Sequence, residues 1–296
     1  MNSIEQMIEP IAENGVRATF ANEKYGEHER NTFDIWMAKS NKPTPLVIYI
    51  HGGGFIGGDK SKYYDSEDLV RFLDAGVSVA VINYRFMNEF PFGVLASMKD
   101  SKRCLQYIRY QSERYNIDKN RIACSGGSAG AGTSLWLAFN DNMAELENED
   151  LVLRESTCLT CAGAFDTQST YDIFQWCDIL GLPKGKTSEE LFKIARGFGL
   201  KSAENIDLFK ETKIRKELDF LSQMNKNSSP FFVFNKKTGG IPQNEDQLNH
   251  HPLHAKALKV RAMEVGVEAV VYAPQIGLVD SSEKDLVDFF LEKFGE

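Results

Sequence analysis

The sequence predicts an α/β fold in which a mostly parallel central sheet is flanked by helices. Short apolar runs alternate with helical patterns as far as Phe165, which is typical of strands joined by helical crossovers. Two glycine-rich segments each follow directly on such a run, and 42% of the 296 residues are hydrophobic, enough for a substantial core. Because the alternation is continuous, we expect a single domain that spans residues 1–296.

The first glycine-rich segment is residues 51–55, with the sequence HGGGF. It follows the apolar run at residues 46–50 and therefore lies at the carboxyl end of a predicted strand. A loop of the HGGG type brings bare backbone N–H groups close to a reacting centre, where they stabilise an oxyanion. We therefore expect the N–H groups of Gly53 and Gly54 to be oxyanion-hole donors.

The second segment is residues 126–130, GGSAG, which matches the G-x-S-x-G nucleophile elbow. A predicted strand at residues 121–125 precedes it, and we expect a helix from about Ala131. Glycines on both sides of the serine remove Cβ atoms that would clash in so sharp a turn. We expect Ser128 to be the nucleophile and the N–H of Ala129 to be a further oxyanion-hole donor. Either motif alone is weak evidence, but both follow strands, where sites form in open α/β sheets.

Other segments fit around these two motifs: NTFDIW at residues 31–36, NYR at residues 83–85, Phe90-Pro91 and Asp100. With them, the chain from about Tyr25 onwards resembles the α/β-hydrolase-fold esterases and lipases that have an HGGG oxyanion loop. The similarity is to the hormone-sensitive-lipase-like and feruloyl-esterase-like carboxylesterases. It implies hydrolysis of a small acyl or carbohydrate-linked ester through an acyl-enzyme on Ser128, with no cofactor. It also implies that the serine, the acid and the histidine follow in that order.

The acid is expected after the predicted strand at residues 230–234, where the resemblance places it. Asp246 has close to the family spacing from Gly266, the glycine that ends the next predicted helix. Glu245 is the neighbour that could substitute for it. From the residues alone, positions 244–246 also read as a solvated polar loop.

The base departs from the family pattern. The resemblance implies a histidine after the last strand, but Gly277 or a neighbour occupies that place, and no histidine follows His254. Of the five histidines, His250 and His251 are near Asp246 in sequence, and a triad is defined by geometry rather than by chain order. We expect His251 to be the base, because the following Pro252 restricts its backbone to extended conformations.

Other functions stay open at this stage. The chain could have lost its base and be a catalytically impaired hydrolase-fold binding protein, or a partner chain could supply the base. An amidase or peptidase would use the same parts. Cys158 and Cys161 have C-x-x-C spacing inside an expected strand at residues 157–164, where sheet packing is favoured over a metal or redox role. A metal site formed by Asp246 with His250, His251 and His254 is disfavoured, because consecutive histidines rarely point the same way. No metal is therefore expected.

Composition limits the partners. A net charge of −8 without a basic block argues against nucleic acid and anionic membranes, and no apolar run approaches the ~20 residues of a membrane span. The partner is expected to be a small-molecule ester, with the oligomeric state open. The first residues lack a basic-then-apolar leader, so a cytoplasmic location is expected, or secretion if a leader has been removed.

Two helical segments are expected outside the sheet framework. Residues 4–14 read as an N-terminal helix. Residues 173–225 carry apolar residues at helical spacing, and we expect them to form a small helical cap or rim over the site.

Overall fold

In the part of the chain that the structure describes, eight strands form one sheet. The structure is a computed structural model, and it describes residues 15–87, 93–182 and 213–296. In chain order the strands are β1 Phe20–Lys24, β2 Thr32–Trp36, β3 Thr44–Ile50, β4 Ser78–Ile82, β5 Ile117–Gly127, β6 Cys161–Phe165, β7 Phe231–Phe234 and β8 Ala269–Tyr272.

The sheet order is β1-β2-β4-β3-β5-β6-β7-β8. β2 runs antiparallel to both of its neighbours, and the other neighbouring pairs are parallel. β3 and β5, which carry the two glycine motifs, are adjacent and in register from Leu46 opposite Ile122 to Ile50 opposite Gly126. The mostly parallel sheet flanked by helices confirms the predicted fold class.

Helices cover both faces of the sheet. The described α-helices are α1 Glu67–Asp74, α2 Val94–Tyr110, α3 Ala129–Phe139, α4 Trp176–Leu180, α5 Lys213–Leu218, α6 Phe220–Gln223, α7 Glu245–Asn249, α8 Leu253–Val265 and α9 Leu286–Phe294. Side chains of β3 alternate between two apolar clusters, as the period of two in a strand requires. Ile48 packs with residues of α2, α3 and α8 on one face, and Val47 packs with residues of α1 and α9 on the other.

Several element boundaries differ from the sequence-based expectations. β6 begins at Cys161, so the strand expected from residue 157 starts four residues later, and Cys158 is exposed. Arg109 explains the difference, because its guanidinium donates to the carbonyls of Ser156 and Cys158 that a strand ladder would otherwise use. The helix expected from Ala131 begins at Ala129. Residues 244–246, which from the residues alone also read as a polar loop, are the N-cap and the first two residues of the short helix α7.

The expected cap is described only at its two ends. Residues 173–182 form a 3₁₀ turn and α4, and residues 213–223 form α5 and α6. Leu218 and Phe220 are buried in the same cluster as α3. Residues 183–212 lie outside the described residues, as do the expected helix at residues 4–14 and Phe90-Pro91, so the cap stays a prediction.

Candidate active site

Ser128 occupies a strained turn between β5 and α3. Its backbone has φ 52° and ψ −114°, outside the regions that L-residues usually adopt, and it is the N-cap residue of α3. A Cβ atom on Gly126 would lie 2.3 Å from the Ile50 carbonyl oxygen, and one on Gly130 would lie 1.8 Å from the same atom. Any side chain at either position would push the elbow away from β3, so the two glycines keep the serine close to the glycine loop.

The HGGG loop depends on backbone conformations that favour glycine. Gly53 has φ +115° and Gly54 has φ +59°. A Cβ atom on Gly53 would also lie 2.2 Å from the carbonyl oxygen of Gly57. The first residue of the loop, His51, is fully buried, and its ring stacks on Tyr84 with centroids 4.2 Å apart.

The hydrogen bonds of His51 hold the HGGG loop in place. Its Nδ1–H donates to the carbonyl of Gly52 at 2.7 Å, and Arg30 donates to its Nε2 at 3.3 Å. Burial lowers the pKa of His51 to about 4, so the ring is neutral around pH 7. Both ring nitrogens are therefore occupied in holding the loop, which fits a positioning role and not that of the base.

The three expected oxyanion-hole donors lie near one another. In the described part of the chain, the backbone N–H groups of Gly53, Gly54 and Ala129 donate to no acceptor. Gly54 and Ala129 line the same cavity as Ser128, whereas Gly53 is not part of its wall. Gly54 and Ala129 thus combine a backbone N–H that has no acceptor with a place on the wall of the cavity beside Ser128, as expected of oxyanion-hole donors.

His250, and not His251, lies beside the serine. The Ser128 Oγ–H donates to Nε2 of His250 over 2.7 Å. The structure does not bring the predicted base His251 to Ser128. Its Nε2 lies 2.9 Å from the carbonyl of Gly240, its Nδ1 accepts the N–H of Leu253, and the residue is buried. The physical reason is that the backbone of Leu253 and the carbonyl of Gly240 occupy both ring nitrogens of His251, whereas His250 lies one turn after Asp246.

Asp246 contacts the other nitrogen of the same ring. Its Oδ1 lies 2.9 Å from Nδ1 of His250, and its backbone carbonyl lies 3.0 Å from that nitrogen. Both neighbours of Nδ1 are acceptors, so Nδ1 carries the proton and Nε2 is free to accept from Ser128. The structure therefore brings together Ser128, His250 and Asp246, and among the described residues no hydrogen bond joins the alternative acid Glu245 to His250.

α7 determines this geometry. Asn244 caps the helix by accepting the N–H of Gln247, so Asp246 and His250 lie one turn apart on the same face. The Asp246 side chain is 61% exposed, in contrast to 15% for His250. Lys237 donates to Oδ2 of Asp246 at 3.1 Å, and this bond, followed by the charge of His250, lowers the pKa of the carboxyl.

Two side chains that the sequence did not reveal hold α7 against the sheet. Asn235, the residue after β7, donates to the carbonyl of His250 at 3.0 Å. Gln168, in the loop after β6, donates to the carbonyl of Asn249 at 2.8 Å. The sequence feature that could have indicated them is their position, because both polar residues closely follow the carboxyl ends of strands, where the site lies. They satisfy carbonyls that α7 leaves open at its C-terminus.

Gly277, which occupies the place where the resemblance implied a histidine, lies in a turn. It has φ +73° and ends the 3₁₀ turn Pro274–Ile276. Ala273 and Leu278 close this turn by pairing their backbones. The chain thus reaches the serine from the loop after β7 instead of from the turn after β8.

The cavity beside Ser128 is small, with a volume of about 90 Å³. Its described walls are mainly apolar and include Phe55, Met87, Val94, Tyr171 and Trp176, and its polar side chains are Gln168 and Asn249. A larger groove of about 660 Å³ lies between α4, α6 and α8, and none of the reacting groups lines it.

Within residues 15–87, 93–182 and 213–296, no cluster of three His, Cys, Asp or Glu side chains is arranged to hold a metal ion. Over the same residues, no helix is both long and apolar enough to cross a bilayer.

Solved esterase structures share the fold. A truncated carbohydrate esterase from gut microbiota is 16% identical, with a TM-score of 0.69 over 94% of this chain and 96% of that one. The esterase Est2 of Thermogutta terrifontis is 16% identical, with a TM-score of 0.61 over 92% of this chain and 91% of that one. At these identities the likeness concerns the fold alone.

Sequence relatives and a family profile identify the family. Gut esterase 1 of Caenorhabditis elegans is 26% identical over 57% of this chain and 32% of its own length. A probable isoprenylcysteine alpha-carbonyl methylesterase of Oryza sativa subsp. japonica is 26% identical over 51% of this chain and 36% of its own. The matched region thus spans about a third of each relative. The BD-FAE profile matches residues 33–245, well over half of the chain, and the chain therefore belongs to the BD-FAE family of α/β-hydrolase esterases.

Proposed function

We propose that the protein is a serine hydrolase that cleaves carboxylic esters through an acyl-enzyme on Ser128, with His250 as the base and Asp246 as the acid that orients it. The observation that carries the proposal is the contact of 2.7 Å between Ser128 Oγ and His250 Nε2, with Nδ1 of the same ring on Asp246. A serine hydroxyl needs such a neighbouring base to act as a nucleophile. The position of His250 supports the enzyme over the impaired binding protein, because that alternative depended on a missing base.

The first half of the reaction uses these groups as follows. His250 Nε2 takes the proton of Ser128 while Oγ bonds to the ester carbonyl carbon, and the carbonyl oxygen becomes an oxyanion. The N–H groups of Gly54 and Ala129 stabilise that charge, and one such donor is typically worth about 3–4 kcal/mol of barrier. The C–O bond to the alcohol then breaks, and His250 returns its proton to the departing oxygen.

The second half repeats the steps with water. His250 takes a proton from the water that attacks the acyl-enzyme, and the oxyanion forms again at the same donors. The bond to Ser128 Oγ breaks, Oγ recovers the proton from His250, and the carboxylic acid leaves. The site requires no cofactor for this cycle.

The small cavity supports a short acyl group. A volume of about 90 Å³ is well below the roughly 300–1,000 Å³ of ordinary small-molecule pockets, which suits an acyl group of a few heavy atoms. The alcohol can be larger, including a carbohydrate, because it leaves on the His250 side of the serine, where the Asp246 side chain is 61% exposed.

A matched pair of histidine variants tests the proposal. Short p-nitrophenyl esters are offered to the wild type, Ser128→Ala, His250→Ala and His251→Ala, and a fluorophosphonate adduct is located by mass spectrometry. Hydrolysis should disappear in Ser128→Ala, fall by at least about a thousandfold in His250→Ala, and stay within a few-fold in His251→Ala. Folded wild-type protein that leaves Ser128 unlabelled and hydrolyses no ester would refute the proposal.

A further inference from the structure

The hydroxyl of Tyr63 joins the ends of the two strands that lead into the glycine motifs. It donates to the carbonyl of Ile50 at 3.2 Å and accepts the N–H of Gly127 at 3.1 Å. Ile50 is the last residue of β3, directly before the HGGG loop, and Gly127 is the last residue of β5, directly before Ser128. One side chain from outside both strands therefore links the oxyanion loop to the nucleophile elbow.

The linked carbonyl of Ile50 lies where the two segments approach each other closely. It is the group that a Cβ atom on Gly130 would meet. A Cβ atom on Gly52, in the HGGG loop, would likewise lie 2.7 Å from the carbonyl oxygen of Gly127. The backbones of the loop and the elbow thus pack against each other without room for side chains. A change in their separation would therefore move Ser128 relative to the oxyanion-hole donors.

Tyr63 is itself held in place, as a positioning role requires. Its ring stacks on that of Tyr49 in β3, with the centroids 4.6 Å apart and the planes 25° from parallel. It ends the 3₁₀ turn Lys60–Tyr63, and Lys60 pairs with the buried carboxylate of Asp34 in β2. The backbone N–H of Lys60 also donates to Oδ1 of Asn83 at 2.7 Å. The stacked ring and the anchored turn together determine where the hydroxyl lies.

The Tyr63 hydroxyl acts as a neutral bridge and does not contact the substrate. Burial raises the pKa of Tyr63, and the hydrogen bond from Gly127 offsets this only in part. The hydroxyl therefore keeps its proton around pH 7 and can donate one hydrogen bond while it accepts another. Tyr63 is not part of the described wall of the cavity beside Ser128. Any contribution to catalysis thus passes through the two segments that it joins.

We infer that Tyr63 is a positioning residue whose hydroxyl holds the oxyanion loop and Ser128 at the separation that acyl transfer requires. This inference rests on the proposed ester hydrolysis. Oxyanion donors are effective only at about 2.7–3.1 Å from the developing oxyanion. A misplacement of about 1 Å can cost about a hundredfold in rate. By bridging the two strand ends, the hydroxyl keeps the donors and the nucleophile within this narrow range.

Tyr63→Phe tests the inference, because it removes the hydroxyl and keeps the stacked ring. The kcat for p-nitrophenyl acetate should fall by about ten- to a hundredfold. KM should change little, because both halves of the cycle use the same serine and the same donors and slow down together. Tyr64→Phe is the matched control, since the Tyr64 hydroxyl donates to Asp34 and to neither of the two strand ends. It should leave kcat unaltered.

A transition-state analogue distinguishes positioning from a general loss of stability. The boron of propylboronic acid bonds to the serine oxygen and becomes tetrahedral, so its affinity depends on the separation of Ser128 and the oxyanion donors. Its inhibition constant should rise in Tyr63→Phe by the factor by which kcat/KM falls, at a temperature where circular dichroism shows each variant to be folded. An unchanged kcat or inhibition constant in Tyr63→Phe, or an equal fall of kcat in Tyr64→Phe, would overturn the inference.

Hydrogen exchange separates failure of this inference from failure of the proposed function, because it needs no turnover. Deuterium uptake is followed by mass spectrometry in peptides that span residues 50–58 and 124–131. Exchange in both peptides should be faster in Tyr63→Phe than in the wild type and in Tyr64→Phe. If the wild type hydrolyses no ester, the proposed function fails, and the exchange result alone decides whether Tyr63 bridges the two segments. Exchange that is equal in the two variants overturns the bridge.

Discussion

Replacing Asp246 by asparagine should slow the enzyme far less than removal of the acid slows enzymes with a buried triad. The Asp246 side chain is 61% exposed and shares its carboxylate between His250 and Lys237. A buried acid in a Ser-His-Asp triad is worth about 10⁴-fold in kcat, because asparagine leaves the histidine in the wrong tautomer. Here the backbone carbonyl of Asp246 lies 3.0 Å from Nδ1 of His250 and remains as an acceptor for its proton.

The magnitude follows from what the carboxylate still contributes. A hydrogen bond to a charged group is worth about 1.5–3 kcal/mol, and an exposed ion pair contributes about 0–1 kcal/mol. Because the carboxylate of Asp246 is hydrated, the loss should not exceed the hydrogen-bond value. At about 1.4 kcal/mol for each tenfold change in rate, kcat should fall by about ten- to a hundredfold in Asp246→Asn.

The assay is the hydrolysis of p-nitrophenyl acetate at several salt concentrations, with Glu245→Gln as the matched control on the same helix. Glu245 is exposed and next to Asp246, so its neutralisation should change the rate by less than about twofold. The gap between wild type and Asp246→Asn should narrow in high salt, which screens the exposed carboxylate. A loss near 10⁴-fold that does not depend on salt would show that the acid acts as a buried group and would refute this reasoning.

Three further predictions concern the histidines and one buried ion pair. His250→Ala should reduce kcat/KM by at least about a thousandfold. His251→Ala should mainly lower the thermal unfolding temperature, because the ring of His251 bonds to the carbonyl of Gly240. Rates and melting curves of both variants check these two outcomes. Lys60→Met should reduce the free energy of unfolding by about 3–5 kcal/mol in urea titrations, because it leaves the carboxylate of Asp34 buried without its cation. The double variant that also carries Asp34→Asn should regain part of this loss. Burial lowers the pKa of His254 to about 3, whereas its pKa in the unfolded chain is about 6.5. Between these values the unfolded state binds more protons than the folded state. The free energy of unfolding therefore falls as the pH drops below about 6.5. Urea titrations at pH 7 and 5 should show a smaller acid loss in His254→Asn than in the wild type, and equal losses would contradict this.

The sheet, the elbow and the glycine loop were predictable because their sequence signals are local. An apolar run that ends in glycines indicates a strand followed by a turn. Glycine is required at positions 53, 126 and 130, because a Cβ atom there would lie less than 2.5 Å from a backbone carbonyl oxygen. These features depend on neighbouring residues and on backbone geometry, so one sequence is enough to predict them.

The choice between His250 and His251 needed information that is not local. Adjacent side chains point in different directions, and which of them faces Ser128 depends on where α7 begins. The expectation for His251 rested on the restriction that the following Pro252 places on its backbone. The sequence did contain a better signal, because Asn244 is a favourable N-cap residue and places Asp246 and His250 one turn apart.

The position of His250 also explains why the turn after β8 can do without a histidine. When the acid and the base lie on separate loops, both loops must be held in register for the two side chains to meet. Here Asp246 lies on α7, a helix of five residues, and His250 directly follows its last residue, so their contact is set by helical geometry. Only the distance from α7 to β5 has to be maintained, and Asn235 and Gln168 bond to the end of the helix from the ends of β7 and β6. The consequence is an acid at the surface, because a helix this short cannot bury its first turn while its last residues reach Ser128.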